Sequence, residues 1–376
     1  MEVKPRLLYI TNGIDGSGGL ERVLSLKASW LADTQGYEVH ILVLNEAYQH
    51  PFFSFSSKII FHSIRVGGNP IAYWRAYSKG LISQVEAIQP QLILVCDDGF
   101  KAFLTPLFLK KRAPLLYERH VSRAVFTGTQ KGLLSRLFKR IQAQLITFLA
   151  ARFDRFVVLT DSNREEWPIS NLTVIPNPLP FYPDSVSRQR EKVVLAVGKQ
   201  SYQKGYDMLL HAWAQIAADY PDWRLEVYGK LDASQGLEGL ADALQIGSSV
   251  HFYPPQKAIA TQYEKASLYV MSSRYEGFGM VLIEAMAHGL PCVTFDCPYG
   301  PSDLVQHETT GLVIPPGDVT ALAQGMARLM GDVSLREAWG TNARTYVTKY
   351  AMDTVGQQWI ALFESVVGAK KLDKKG

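Results

Sequence analysis

The sequence predicts an α/β protein built from two doubly wound parallel-sheet domains. Short apolar runs alternate with helical stretches along nearly the whole chain, as expected for parallel strands that helices cover on both faces. The alternation is interrupted by a segment rich in proline and charge, and it then starts again. A chain of 376 residues is long enough for two such domains, each with its own core. Because doubly wound sheets bind ligands at the carboxyl ends of their strands, two facing domains predict a site in the cleft between them.

The predicted domains are residues 1–175 and 193–350, joined by a linker over 176–192. Residues 351–376 are predicted to form a C-terminal helix that packs back toward the first domain. The strands predicted for the first domain are Leu7–Thr11, Val39–Leu44, Ile59–Ile64, Leu92–Cys96, Leu115–Glu118 and Phe156–Thr160, with helices at Leu20–Ala32 and Tyr77–Ile88. Those of the second are Val193–Val197, Arg224–Tyr228, Val250–Tyr253, Leu268–Met271 and Cys292–Phe295, with helices at Tyr206–Ala218 and Leu237–Leu244 and from about Val319 onward.

Net charge, cysteine spacing and the lack of long apolar runs argue against a nucleic-acid-binding, a zinc-binding or a membrane-spanning protein. A net charge of +4 is too small to indicate a nucleic-acid partner by itself. The three cysteines, Cys96, Cys292 and Cys297, lack zinc-ligand spacing and are interpreted as free thiols in a reducing compartment. The N-terminus lacks the features of a signal peptide, and no window approaches 18 uninterrupted apolar residues. We therefore expect a cytoplasmic protein.

A glycine-rich loop follows the first predicted strand. Its sequence, NGIDGSGGLERVL, places Gly16, Gly18 and Gly19 just before a helix, where backbone N–H groups can bind an anion. A dinucleotide-binding fingerprint would need glycine or alanine where Glu21 stands, so an NAD site is disfavoured. A tight turn with a purely structural role is the alternative.

The most informative segment covers residues 272–296, SSRYEGFGMVLIEAMAHGLPCVTFD. It predicts a strand, a loop over Arg274–Gly279 and a helix over Met280–His288. Glu276 lies in the loop and Glu284 one turn into the helix, where a carboxylate can accept two hydrogen bonds from the hydroxyls of a ribose. Strand, glycine loop and helix together form an anion-binding geometry. Alternatively, the two glutamates only complement the helix dipole.

Taken together, these motifs resemble the signature of family 4 retaining glycosyltransferases, also described as glycosyl transferases group 1. The resemblance rests on Glu276-Gly277-Phe278-Gly279 with Glu284 and the following AMAHGLPCV, and on GSGGLERV, the VIPNP at 174–178 and the TGLVIPPGD at 310–318. It implies a GT-B architecture of two facing Rossmann-like domains. The FDCPYGPSDLV at 295–305 is closest to members that build bacterial surface polysaccharides, although Asp303 stands where many relatives have glutamate.

The resemblance also implies roles for individual residues. Glu276 would contact the donor sugar, and Glu284 would hold the ribose. The backbone of the loop and first helical turn would bind the diphosphate, together with the N-terminal glycines; these residues are Gly277, Phe278, Gly279, Met280, Val281, Gly18 and Gly19. Lys199 and Lys204 would neutralise the leaving nucleotide diphosphate, whose charge grows as the glycosidic bond breaks. Lys199 departs from the pattern, which usually has arginine, and so loses the bidentate fork. Without the resemblance, both lysines would be interpreted as surface residues.

His120 is the histidine that the resemblance selects. It follows a predicted strand, in LLYERH, at the carboxyl edge of the first sheet. Its implied role is to orient the donor sugar near the reacting centre, with Glu118 or Arg119 fixing the imidazole tautomer. A hydrogen-bonded histidine that merely closes the strand is the other interpretation.

A basic amphipathic helix is predicted over residues 131–152, which contain five basic and no acidic residues. Arg136, Lys139 and Arg140 fall on one face and a set of apolar residues on the other: Leu134, Leu137, Phe138, Ile141, Leu145, Phe148 and Leu149. Such a helix suits an anionic membrane surface or the diphosphate of a lipid-linked acceptor. An ordinary helix with a solvated basic face is the alternative.

The combined prediction is a retaining, metal-independent hexosyltransferase that uses a nucleotide sugar, most simply a UDP-sugar. The acceptor is predicted to be a glycan on polyprenyl diphosphate, and the protein to lie peripherally on the inner face of the cytoplasmic membrane. No cofactor or metal is expected, since no Asp-x-Asp cluster is evident. The alternatives are a transferase with a soluble small-molecule acceptor, a nucleotide-dependent oxidoreductase and a non-catalytic sugar-nucleotide-binding module.

Overall fold

The computed structural model describes residues 4–109, 112–122, 133–184, 186 and 191–373, with the side chains of 133–139 and 370–373 outside the described part. The chain divides into two compact units. The first comprises Met1–Pro180 and Met352–Gly376, and the second comprises Phe181–Ala351.

The first unit contains a seven-stranded parallel sheet with the order β3-β2-β1-β4-β5-β6-β7. Its strands are β1 (Arg6–Ile10), β2 (Glu38–Leu44), β3 (Ile60–Ile64), β4 (Leu92–Val95), β5 (Leu115–Glu118), β6 (Arg155–Val158) and β7 (Leu172–Val174). The central strands are buried on both faces because helices cover the sheet, which explains their uninterrupted apolar sequences. The strand order reverses direction between β1 and β4, as in a Rossmann-like fold.

The helices of the first unit are α1 (Gly19–Asp33), α2 (Pro70–Ile88), α3 (Thr105–Leu109), α4 (Leu133–Ala150) and the C-terminal α12 (Met352–Asp373). Helix α2 begins at Pro70, seven residues before the predicted start at Tyr77. Asn69 caps it by accepting a hydrogen bond from the N–H of Ala72 at 2.9 Å, and proline occupies the first turn. The prediction was wrong there because it followed the apolar spacing and not this capping signal.

Helix α12 packs against α1 in the first unit, although it comes last in the chain. Val355, Trp359 and Phe363 belong to the same buried apolar cluster as Leu24 and Leu31 of α1. The indole of Trp30 also donates a hydrogen bond to Asp353 at 2.7 Å. The polypeptide that leaves the second unit therefore completes the core of the first.

The second unit contains a six-stranded parallel sheet with the order β10-β9-β8-β11-β12-β13. Its strands are β8 (Val193–Val197), β9 (Arg224–Tyr228), β10 (Val250–Tyr253), β11 (Leu268–Met271), β12 (Cys292–Phe295) and β13 (Gly311–Ile314). The helices are α5 (Tyr206–Ala214), α6 (Leu237–Ala243), α7 (Ala260–Lys265), α8 (Met280–Ala287), α9 (Pro301–Leu304), α10 (Val319–Gly331) and α11 (Val333–Tyr346). This order repeats the Rossmann-like pattern, with the reversal between β8 and β11.

The predicted fold class, two Rossmann-like parallel-sheet domains in succession, is confirmed. The prediction did not include β7 and β13, which are short strands at the edges of the two sheets. Within the described part of the chain, no helix combines the length and apolar character needed to cross a bilayer.

Candidate functional site

The second unit brings two loops together at the point where its strand order reverses. One loop follows β8 and leads through a 3₁₀ turn, Tyr202–Lys204, into α5. The other follows β11 and leads into α8. Since β8 and β11 are adjacent and parallel, their carboxyl ends place both loops at the same edge of the sheet. This is the position at which doubly wound sheets bind ligands.

Lys204 and Glu276 form an ion pair across these two loops. The ammonium of Lys204 lies 2.7 Å from Oε1 of Glu276, and the hydroxyl of Ser273 donates to the same oxygen at 2.6 Å. The side chains are 15% and 8% exposed, so the pair is mostly shielded from water. The geometry holds a cation and a carboxylate side by side, which suits a ligand that combines an anionic group with hydroxyls.

Arg274 fastens the second loop to the first. Its guanidinium makes two hydrogen bonds to the carboxylate of Asp207, at 2.9 and 2.5 Å, and it also donates to the carbonyl of Tyr202 at 2.7 Å. Burial alone would raise the pKa of Asp207, but the hydrogen bonds from Arg274 hold it below its usual value. The hydroxyl of Ser272 donates to the Lys204 carbonyl at 2.9 Å. These contacts fix the backbone on which Lys204 and Glu276 stand.

Gly205 allows the two loops to approach closely. Its φ of +61° lies in the left-handed region, and an added Cβ would come within 2.2 Å of the Ser272 carbonyl oxygen. Glycine is therefore required on two grounds, because other L-residues are strained at this φ and because there is no room for a side chain.

The N-terminus of α8 borders the same site. Gly279, with a φ of +97°, precedes the helix and supplies no side-chain cap. The N–H groups of the first turn, which include those of Met280 and Val281, have no acceptor inside the helix by geometry and carry partial positive charge. A Cβ at Gly300 would lie 2.4 Å from the Phe278 carbonyl oxygen, so a second glycine lets the following loop pack against this turn.

Glu284 lies deeper in the second unit than Glu276. Its carboxylate is buried and accepts a hydrogen bond from the Tyr263 hydroxyl at 3.1 Å. The backbone carbonyl of Glu284 lies 2.9 Å from Nδ1 of His288, whose ring stacks on that of Tyr263. Lys199, by contrast, has an exposed side chain on the loop after β8. The predicted roles of Glu284 at a ribose and of Lys199 at a phosphate stay predictions.

The charge of Glu276 also affects its surroundings. Burial raises the pKa of Tyr206, and the nearby Glu276 carboxylate raises it further, so the phenol stays protonated. The Tyr206 hydroxyl donates to the Gly198 carbonyl at 3.0 Å. This hydrogen bond helps to fix the start of the loop that carries Lys199 and Lys204.

In the first unit, the glycine loop lies against an acidic side chain. A Cβ at Gly16 would be 2.4 Å from Glu21 Oε1, and one at Gly18 would be 2.6 Å from Oε2. The Glu21 carboxylate thus packs on the loop at the start of α1, where it complements the helix dipole. Gly19 faces open space, with no atom within 4 Å of an added Cβ. The donor-binding roles of Gly18 and Gly19 stay predictions.

His120 follows β5, and its ring faces Glu118. Nε2 of His120 lies 3.5 Å from Oε1 of Glu118. Arg119 points elsewhere, with its guanidinium donating to the Asp98 carbonyl at 3.1 Å. Of the two residues predicted to fix the imidazole tautomer, Glu118 therefore has the matching geometry.

Cys96, Glu118 and His120 also place three possible metal-ligand atoms within 4.8 Å of one another. The ammonium of Lys27 donates to the same carboxylate, so this group already faces a positive charge. Burial and the adjacent Glu118 charge raise the pKa of the Cys96 thiol, which disfavours the thiolate that a metal would need. These side chains are a poor fit for a divalent cation.

Helix α4 leaves a row of apolar side chains exposed. Ile141, Leu145 and Phe148 are 55%, 44% and 56% exposed, whereas Leu149 is buried. Arg140 is exposed next to Ile141, and the guanidinium of Arg152 lies 4.3 Å from the Phe148 ring centroid. The side chains of Arg136 and Lys139 lie outside the described residues.

Four residues that shape these sites were not predicted from the sequence: Lys27, Asp207, Ser273 and Arg274. Arg274 lies in the informative segment 272–296, and a basic residue in a glycine loop was a usable signal. Asp207 and Ser273 carry no comparable signal. Lys27 resembles any lysine of an amphipathic helix, and its burial is evident only in the folded chain.

Comparison with known proteins shows which domain the second unit carries. The model of the family "Glycosyl transferases group 1" matches residues 182–346, which contain the Lys204–Glu276 pair and α8. The chain carries a glycosyl transferases group 1 domain. An uncharacterised glycosyltransferase of Haemophilus influenzae is 29% identical over 93% of this chain and 97% of that protein. The amylovoran biosynthesis glycosyltransferase AmsD of Erwinia amylovora is 25% identical over 94% of this chain and 98% of its own length.

Another relative is longer than this chain. An exopolysaccharide phosphotransferase of Streptomyces coelicolor is 32% identical over 97% of the chain, which spans 41% of that protein's length.

Solved structures share the fold of this chain. One is a mutant of TarM from S. aureus in complex with fondaparinux, α-GlcNAc-glycerol and UDP, which superposes with a TM-score of 0.76. The two chains are 14% identical, and the match covers 96% of this chain and 100% of TarM. HepE of Anabaena in complex with UDP superposes with a TM-score of 0.76 and is 19% identical. The match covers 96% of this chain and 100% of HepE. At these identities the likeness shows the GT-B type of fold alone.

Proposed function

We propose that this group 1 glycosyltransferase is retaining and metal-independent and moves a hexose or N-acetylhexosamine from a UDP-sugar to a glycan acceptor. The proposed acceptor is a glycan on polyprenyl diphosphate, in the assembly of a bacterial surface polysaccharide. The observation that carries the proposal is the Lys204–Glu276 pair beside the N-terminus of α8.

The chemistry of that arrangement matches a nucleotide diphosphate leaving group. As the glycosidic bond breaks, negative charge grows on the diphosphate, and a fixed ammonium with helix N–H groups stabilises it without rearrangement. The carboxylate of Glu276, anchored by Ser273 and Lys204, would accept hydrogen bonds from sugar hydroxyls. The ammonium of Lys204 and the N–H groups of α8 would supply the positive charge that a metal ion would otherwise bring.

UDP as the nucleotide is supported by the fold neighbours, since the TarM and HepE structures were both obtained with UDP. A surface-polysaccharide role is supported by AmsD, which acts in amylovoran biosynthesis. A soluble small-molecule acceptor is the alternative within the same enzyme class.

We expect UDP to stabilise the protein against heat in the presence of EDTA, more than GDP, ADP, CMP or NAD does. A ligand at one hundred times its dissociation constant adds about 2.7 kcal/mol to the free energy of unfolding, which a thermal-shift assay detects. A shift with NAD alone would favour the oxidoreductase alternative. A UDP shift without any release of UDP from UDP-glucose or UDP-GlcNAc in the presence of acceptor lipid would favour the non-catalytic binding module.

The proposal includes peripheral attachment to an anionic membrane through α4. An exposed row of Ile141, Leu145 and Phe148 is costly in water and suits the boundary between headgroups and acyl chains. Arg140 and Arg152 flank this row and can approach anionic headgroups. An acceptor on a polyprenyl carrier would lie at the same surface.

Replacing Arg136, Lys139 and Arg140 with alanine should weaken binding to anionic vesicles by up to roughly a hundredfold, since each cation near the surface contributes about 1 kcal/mol. Binding is measured by co-sedimentation with phosphatidylglycerol vesicles, and phosphatidylcholine vesicles should bind weakly throughout. The matched control replaces Lys58, Arg75 and Lys79, three exposed cations of the same unit, and should bind as the wild type does. If the two triple variants bind anionic vesicles with equal affinity, α4 is an ordinary helix with a solvated basic face.

A further inference from the structure

Lys27 of α1 lies in the interior of the first unit, where lysine is rare. Its side chain is 1% exposed, and its ammonium donates to the carboxylate of Glu118, which is 2% exposed. A buried ion pair is a weak source of stability, because well-packed apolar side chains of similar volume often stabilise a protein as well or better. The neighbours of the pair indicate a different use.

The Glu118 carboxylate joins Lys27 to His120. Its Oε2 accepts from Lys27 and lies 3.2 Å from the Cys96 thiol, while its Oε1 lies 3.5 Å from His120 Nε2. Burial alone would raise the pKa of Glu118, but the charge of Lys27 and the adjacent ring of His120 hold it well below its usual value. The carboxylate is therefore an anion with both of its oxygens engaged.

This arrangement specifies the protonation of the imidazole ring. A nitrogen that faces a carboxylate carries the proton, so Nε2 is the donor and Nδ1 the acceptor in the neutral ring. Nδ1 of His120 is buried and lacks a hydrogen-bond partner within the described part of the chain. It is the ring atom that remains to accept a hydrogen bond.

Trp359 holds Lys27 from the C-terminal helix. The ammonium lies 3.9 Å from the Trp359 ring centroid and 5.5 Å from that of Tyr9. Both rings offer a negative face to the cation, and Trp359 is fully buried. The last helix of the chain thus contributes to the surroundings of the Lys27–Glu118 pair.

We propose that Lys27 is a positioning residue for His120, acting through Glu118, with Trp359 holding the ammonium in place. The inference rests on the proposed function insofar as His120 serves sugar transfer. Lys27 belongs to the first unit, whereas Lys204 and Glu276 belong to the second. Effects on His120 and on UDP binding can therefore be measured separately.

The test uses the double variant Lys27→Met with Glu118→Gln, which removes both charges and leaves neither buried alone. We expect it to fold, to show the wild-type thermal shift with UDP, and to lose about ten- to a hundredfold in kcat at unchanged KM for UDP-glucose or UDP-GlcNAc. The ¹⁵N resonances of the His120 ring, assigned with His120→Asn, should report the Nε2–H tautomer in the wild type and a mixture of both tautomers in the double variant. The control is Lys58→Met with Asp33→Asn, an exposed pair of the same unit, which should match the wild type in every measurement.

Two outcomes would overturn the positioning role. One is a double variant with wild-type kcat and unchanged His120 resonances. The other is a lower melting temperature with unchanged resonances, which would make the pair purely structural. If the wild-type protein neither binds UDP nor transfers sugar, the proposed function fails, and the resonances alone still decide whether Lys27 sets the tautomer of His120.

Discussion

Replacing Glu276 with glutamine or Lys204 with methionine should lower kcat for sugar transfer by roughly 10²–10³-fold, the loss seen when one preorganised charge-stabilising group is removed. Glu276→Gln keeps the shape of the side chain and should retain the UDP thermal shift. Lys204→Met removes the cation that is proposed to face the diphosphate and should weaken UDP binding as well. The measurement is UDP release from UDP-glucose or UDP-GlcNAc in the presence of the proposed acceptor, a glycan on polyprenyl diphosphate.

The folding stability of each single variant must be measured as well, because each variant leaves a shielded charge without its partner. The double variant Lys204→Met with Glu276→Gln removes that problem and should fold as the wild type does while remaining inactive. Lys192→Met, which breaks the exposed pair with Asp222 in the same unit, should leave kcat unchanged. Turnover within tenfold of the wild type in either single variant would contradict the assigned roles.

The second large effect is expected at Gly205. Gly205→Ala places a Cβ 2.2 Å from the Ser272 carbonyl oxygen at a φ of +61°, so the loop after β11 must move. Left-handed strain alone costs about 1–2 kcal/mol for an L-residue, and we expect the clash to bring the total to about 3 kcal/mol or more. Displacing this loop also moves Glu276, so the UDP thermal shift should fall. Chemical denaturation with and without UDP measures both effects.

Gly236→Ala is the matched control for this prediction. Gly236 has a φ of +63°, lies between a 3₁₀ turn and an α-helix as Gly205 does, and has no atom within 4 Å of an added Cβ. It should therefore show the backbone strain without the clash, and UDP binding should be unaffected. Equal losses of stability in the two variants would mean that the close approach at Gly205 is not required.

The fold was predictable where burial leaves a clear pattern. Central strands such as β1 and β8 are covered on both faces and therefore appear in the sequence as uninterrupted apolar runs. The edge strands β7 and β13 are short. β7 ends where the VIPNP motif begins, and β13 lies inside the TGLVIPPGD motif. Single-sequence patterns are weakest at such edges because one side of the strand has no neighbouring strand to constrain its composition.

For the candidate site, the sequence by itself determined which residue types were available and the loops in which they stand. Glu276 was recognisable because it stands beside two glycines just before a helix, a local pattern with a known use in anion binding. Lys204 was selected only by the family resemblance. The pairing of Lys204 with Glu276 across 72 residues depends on β8 and β11 being neighbours, and strand order is not a local property. The same holds for Lys27. Its position on the helix favours no particular partner, and its burial against Glu118 of β5 and Trp359 of α12 is decided only in the folded chain. Long-range contacts decide burial, and burial decides what a charged side chain can do.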